Sequence, residues 1–176
     1  YSYGNTAGRP GSPTVGQVYS NTQTGYVEVY SSSGWLSIGA QPSIVTSVTA
    51  TDQGTGRAYN NGQASVSFTP GTYIGTSYTV TPSPSTSPAT FSGSSSPVTV
   101  TGLQSSTQYT YTVTSTNPYG TSAASSASSG ITATTVPQAP TIGTATGGDT
   151  TATLTVTAGA TGGASITNYK YSTDNS

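Results

Sequence analysis

The sequence predicts an all-β chain: a small N-terminal β-meander, then a β-sandwich, then the first strands of a second one. Three observations point there. Polar and apolar residues alternate with period two, most clearly where Tyr109, Tyr111 and Val113 are interleaved with Thr110 and Thr112. The 13 Tyr and the excess of Ser and Thr suit a pleated surface, while leucine occurs only at Leu36, Leu103 and Leu154, too few for long helices. The 22 Gly and 11 Pro cut the alternating runs into short pieces, as turns require.

Residues 1–41 open with the Gly/Pro-punctuated "YSYGNTAGRPGSPTVG" and continue as three short expected strands, Val18 to Ser20, Tyr26 to Tyr30 and Trp35 to Ile38. About forty residues of meander bury little, so this piece is expected to lean on a neighbouring domain or another chain, as an attachment or oligomerisation element. Trp35, Tyr19 and Tyr30 are its candidate interface residues.

Residues 42–136 hold seven expected strands in about 95 residues, the spacing of a sandwich. They are Ile44 to Ala50, Ala64 to Phe68, Tyr78 to Val80, Ala89 to Phe91, Val98 to Val100, the run through Tyr109 to Val113, and Ile131 to Thr135. Pro82, Pro84 and Pro88 are expected between strands or on an edge, where a missing N–H breaks no ladder bond.

Residues 137–176 begin the plan again. Pro140 answers Pro42, Ala152-Leu154-Val156 answer Ala64-Val66-Phe68, and Tyr169-Tyr171 answer Tyr78-Val80, at offsets of about 98, 88 and 91 residues. This is a partial second sandwich, its first three strands, joined by the proline-stiffened linker "TTVPQAP". Such a piece leaves an inner face open, so the natural chain is expected to continue with the remaining strands. The competing expectation is complementation, in which a neighbouring subunit's meander fills the gap and links copies head to tail.

Charge excludes several classes. Net charge is −1, from Arg9, Arg57 and Lys170 against Glu28, Asp52, Asp149 and Asp174. Three scattered cations make no basic stripe for nucleic acid, and no polybasic, amphipathic or long apolar segment suggests a membrane. With no Cys and no His, the common nucleophile–base pairs and zinc sites are unavailable. The four acids lie in different segments, without the paired spacing of a glycosidase or the density of a calcium loop, and read as solvated surface charges. No catalytic residue, metal or cofactor is expected.

The block "VTVTGLQSSTQYTYTVTSTNPYGTSAAS", with Pro42, "ASVSF" and "ITATTVPQAP", resembles fibronectin type III domains of bacterial or phage type. The resemblance covers residues 42–136 fully and 137–176 in part. It implies that Leu103 precedes a turn and that Tyr109 buries its ring and hydrogen-bonds back to the backbone, a tyrosine corner. Tyr111 follows on the same inward face, and "NPYGTSA" forms a turn between strands. It also implies that Phe68 stands where the family carries a Trp, giving a slightly smaller core. Fold and function separate here, because this sandwich hosts many unrelated roles. Tyr73 and Tyr119, placed at loops, are the candidates for surface recognition, with a cell-surface glycan as the partner class.

A second resemblance carries the functional expectation. "GRPGSPTVGQVYSNTQTGYVEVYSSSGW" is similar to a short element of bacteriophage virion proteins, tail-fibre and capsid-attached ones especially, marked here by Arg9-Pro10, Ser12-Pro13, Gly16-Gln17, Tyr19, Asn21-Thr22, Thr24-Gly25, Glu28, Tyr30 and Trp35. It implies a non-enzymatic structural protein at the virion surface, a fibre, whisker or capsid decoration, partnered by copies of itself or other virion structural proteins. The alternative expectation is a fragment of a bacterial secreted protein, an adhesin-like extracellular filament or a spacer in a polysaccharide-degrading enzyme.

Overall fold

The computed structural model describes residues 2–4, 6–23 and 26–172; Thr24, Gly25 and Asp174 named above lie outside the described residues. Among the described residues, apart from a three-residue 3-10 turn at Thr6–Gly8, every regular element is a strand.

The N-terminal sheet has four strands, not the three expected: β1 (Ser2–Gly4), β2 (Val18–Asn21), β3 (Tyr26–Ser31) and β4 (Gly34–Ala40), in that spatial order. The extra strand β1 runs parallel to β2, with Ser2 opposite Tyr19, a pairing the Gly-punctuated opening does not advertise by alternation. Register sorts the side chains. Tyr19 faces Glu28 across β2–β3 and Tyr30 faces Trp35 across β3–β4, so these four share one face with Asn21. Val18, Val29 and Leu36 share the other, where Leu36 is 58% exposed.

The sandwich follows. One sheet is β5 (Thr46–Asp52), β6 (Gly62–Thr69) and β9 (Val98–Leu103), in the order β5-β6-β9. The other contains β7 (Ser77–Ser83), β8 (Phe91–Gly93), β10 (Gln108–Asn117) and β11 (Gly120–Thr121), in the order β11-β10-β7-β8, with β12 (Ile131–Thr132) also paired to β10. A three-stranded sheet facing a five-stranded one, joined by these crossovers, makes a fibronectin type III-like sandwich. Alternation delivers its core: Ala64, Val66 and Phe68 from β6 meet Tyr78 and Val80 from β7 and Tyr109, Tyr111 and Val113 from β10, all buried. Each fully buried valine contributes about 2 kcal/mol of apolar burial. The Phe68 and Tyr78 rings pack with centroids 4.8 Å apart.

Pro82 departs from expectation, because it lies inside β7, buried and directly opposite Tyr111. The site tolerates it because the Tyr111 N–H and C=O point the other way, to Ser128, and β8 reaches only as far as Val80. No ladder bond is lost.

The C-terminal part is a two-stranded hairpin, β13 (Thr141–Gly147) and β14 (Ala152–Thr157), with Ile142 opposite Val156 and Ala145 opposite Leu154. All thirteen residues of its two strands are exposed. The third strand expected at Tyr169 to Tyr171 is absent. In the sandwich its counterpart β7 is held by β10 on one side and β8 on the other, whereas among the described residues 165–172 meet no such ladder. That segment lines, with Ile142, Leu154 and Val156, an open apolar groove over the hairpin.

Candidate functional site

The fold places the three described acids, Glu28, Asp52 and Asp149, in separate parts of the chain. Glu28 is not the solvated charge expected. It is 2% exposed on the inner face of the N-terminal sheet, and Arg9 closes on it with Nε 2.8 Å from Oε2 and Nη2 2.5 Å from Oε1. The reason is local: the loop carrying Arg9 folds over the sheet face, and a carboxylate shut in there needs a bidentate cation. Asn21 Nδ2 lies 3.5 Å from both oxygens. The hydrogen bond to Glu28 raises the Arg9 pKa, against the opposing pull of desolvation. Asp52, at the far end of β5, accepts the Thr134 N–H at Oδ1 (3.2 Å) and the Thr134 hydroxyl at Oδ2. Asp149 is exposed at the turn between β13 and β14. Among the described residues no three His, Cys, Asp or Glu side chains come together.

The aromatic candidates divide between core and seam. Tyr19 was expected at an interface; it is fully buried in its own chain, under Trp35 (ring centroids 5.7 Å) and against Gly4, leaving no surface to offer a partner. Trp35 and Tyr30 stack edge-on at 5.4 Å and stay half-buried. Tyr73 meets the Tyr26 ring edge-to-face at 4.9 Å, and the Tyr119 ring lies over Gly39, so close that a Cβ there would come within 2.2 Å of it. Both loop tyrosines therefore sit where the N-terminal sheet meets the sandwich, 37% and 51% exposed. Asn117 Nδ2 donates to the Ala40 carbonyl (2.7 Å) across the same seam. Tyr26 and Tyr73, at 82° to each other, form no flat platform for a sugar ring.

In the core, the Tyr109 hydroxyl accepts the Gln104 N–H at 3.1 Å, returning to backbone five residues upstream. Leu103 is fully buried beside it. Tyr111 is as deeply buried, yet its hydroxyl has no hydrogen-bond partner among the described residues. Burial first, then the nearby Tyr109 and Asp52, pushes its pKa far above the ordinary tyrosine value.

One arrangement went unread in the sequence. Segment 122–130 closes the β10 edge, but not as a regular strand. Ser122, Ser125 and Ser128 each donate their N–H to β10, at Ser115, Val113 and Tyr111, and accept the N–H of the same residue at Oγ (3.0, 3.0 and 3.1 Å). Each hydroxyl then donates to the carbonyl of its own successor residue. Serine Oγ thus replaces a backbone carbonyl, and three residues oppose two of β10, like a bulge repeated. Two β10 residues advance about 6.8 Å, so this segment rises only about 2.3 Å per residue. The signal was present as Ser-x-x-Ser-x-x-Ser in "SAASSAS", a period of three that a search for alternation passes over.

Among solved structures the chain is similar to the FN1–FN3 domains of chicken CNTN1, at 17% identity and a TM-score of 0.39. The match covers 56% of this chain and 36% of that one, so this chain spans about a third of that structure's length. No protein-family model and no curated protein matches the sequence.

Proposed function

We propose that this chain is a non-enzymatic structural segment of a bacteriophage particle, a fibre, whisker or capsid decoration that holds β-sandwich beads away from a surface. The observation that carries the mechanical part is the spread of the molecule. Its accessible surface is 10368 Å², whereas one compact globule of its mass would expose about 7,900 Å². Separately built modules strung along a chain, together with the uncovered β13–β14 hairpin, account for the excess. The dispersal of the acids supports the same reading, since Glu28 and Asp52 hold structure. The virion assignment rests on the similarity of residues 8–35 to phage structural elements. In this reading the N-terminal sheet attaches or oligomerises, with copies of itself or other virion proteins, and its apolar face of Val18, Val29 and Leu36 is the surface available for that.

The test uses an antibody raised against the chain. Labelling of purified phage particles from the culture encoding it is the expected outcome. Labelling confined to bacterial filaments or to a secreted polysaccharide-degrading enzyme would replace this reading with the bacterial one.

A further inference from the structure

In sequence the linker after the sandwich is a short, proline-stiffened tether. A single tether leaves rotation about its own bonds, and relative motion between neighbouring modules is the default where little surface is shared. Here the backbone is instead gripped residue by residue. Ala133 N–H donates to Thr107 O (3.0 Å) and Thr134 is held twice by Asp52. The Thr135 hydroxyl is 2.6 Å from Ser105 Oγ, itself bonded to the Asn60 N–H, and Val136 N–H reaches Arg57 O at 2.9 Å. These contacts fix the linker to the sandwich.

The other side is fixed as well. Thr135 N–H donates to Gly162 O (2.8 Å), Gln138 N–H to Ala160 O (2.9 Å), and Ala160 N–H reaches back to Gln138 Oε1 (3.4 Å). Residue 138 enters the β13–β14 hairpin and residue 160 leaves it, so both of its connections are tied at one level. Gly162 and Gly163 permit the approach: both have positive φ (+74° and +95°), and a Cβ on Gly162 would lie 2.5 Å from Thr135 O.

We infer that residues 133–138 are a locked junction, clamped by Asp52 on the sandwich side and seated on Gly162–Gly163 on the other, which fixes the hairpin's orientation relative to the sandwich. The spacer reading gives this stiffness a use, but the lock is measurable without it.

The chain has no cysteine, so two introduced ones, Thr99→Cys on β9 and Thr153→Cys on β14, take spin labels uniquely in the full chain. Pulsed electron spin resonance is expected to give one narrow distance. Asp52→Ala should lose that single peak to a broad distribution. Gly162→Ala should do the same while leaving the sandwich core untouched, and so decides the matter if Asp52→Ala unfolds the sandwich. A broad distribution in the parent chain, or a narrow one surviving in Gly162→Ala, would overturn the lock. Failure of the particle labelling would not alter these distances, so the two proposals fall separately.

Discussion

Ala64, Val66 and Phe68 on β6 return as Ala152, Leu154 and Val156 on β14, each triplet in a strand paired antiparallel to the one before it. Their surroundings differ. Ala64 and Val66 are fully buried and Phe68 is 6% exposed, while Leu154 and Val156 are 44% and 42% exposed. Alternation is therefore enough to set a ladder and its faces, and not enough to make a core. The core of the sandwich comes from the second sheet, β7 and β10, laid over the first. An isolated two-stranded hairpin is marginal in water, and burial of its apolar face requires a further layer. The N-terminal sheet lies between these cases. One of its faces is roofed by a loop pinned through Arg9, and the other keeps Leu36 in solvent.

The sharpest way to break this contrast is to make the same cut in both repeats. Phe68→Ala should destabilise the sandwich by about 3–5 kcal/mol in urea unfolding. Val156→Ala, at the matching position, should stay within about 0.5 kcal/mol. Equal losses would mean that the β14 face is covered in solution and that the two hairpins do not differ as described.

Close behind comes the roof of the N-terminal sheet. Arg9→Met removes the partly exposed cation from a carboxylate that stays buried, and losing these charged hydrogen bonds is expected to weaken this sheet by about 1–3 kcal/mol. Hydrogen exchange on β2 and β3 reads it out, with β10 as the internal control. Arg9→Met combined with Glu28→Leu should recover much of the loss, because no charge is then stranded. Unchanged protection in Arg9→Met would show the ion pair to be incidental.

The sequence disclosed whatever depends on period two. The faces of β6 and β10 follow from alternating apolar residues, and the pairing of β13 with β14 from the same alternation, but the third strand expected at Tyr169 to Tyr171 did not form. It was silent where a contact joins distant segments or follows another period. Glu28 looks like any charge on a strand until the Arg9 loop is placed over it. The parallel strand β1 has no alternation to announce it. Pro82 can sit inside β7 only because Tyr111 turns its polar groups toward Ser128, a relation between three segments. The serine seam repeats every third residue, so alternation gives no sign of its buried hydrogen bonds. Of the loop aromatics, Tyr73 and Tyr119 were recognisable as loop residues, but their place against Tyr26 and Gly39 belongs to tertiary structure.

That seam gives the next test, because it is the closing edge that the β13–β14 hairpin lacks. Ser125→Ala leaves the buried Val113 N–H without its acceptor and should destabilise the sandwich by about 1–3 kcal/mol. Ser126→Ala, one residue on and exposed, should change it by less than about 0.5 kcal/mol. The size of the difference between these neighbours measures how far a hydroxyl substitutes for a strand carbonyl.

The smallest effect concerns Tyr111, whose hydroxyl is buried without a partner. Tyr111→Phe removes that polar atom and keeps the ring, so near neutral pH it should be neutral or slightly stabilising, by less than about 1 kcal/mol. The pH dependence carries a definite sign. Burial raises the Tyr111 pKa in the folded state, so the unfolded chain gives up this proton first as pH climbs. The group's contribution is complete below the unfolded tyrosine pKa of about 10 and is lost progressively above it. Thermal unfolding between pH 9 and 12 should therefore fall less steeply in Tyr111→Phe than in the parent chain. If Tyr111→Phe traced the parent curve, the alkaline loss would have to come from groups other than the tyrosine shut inside the sandwich.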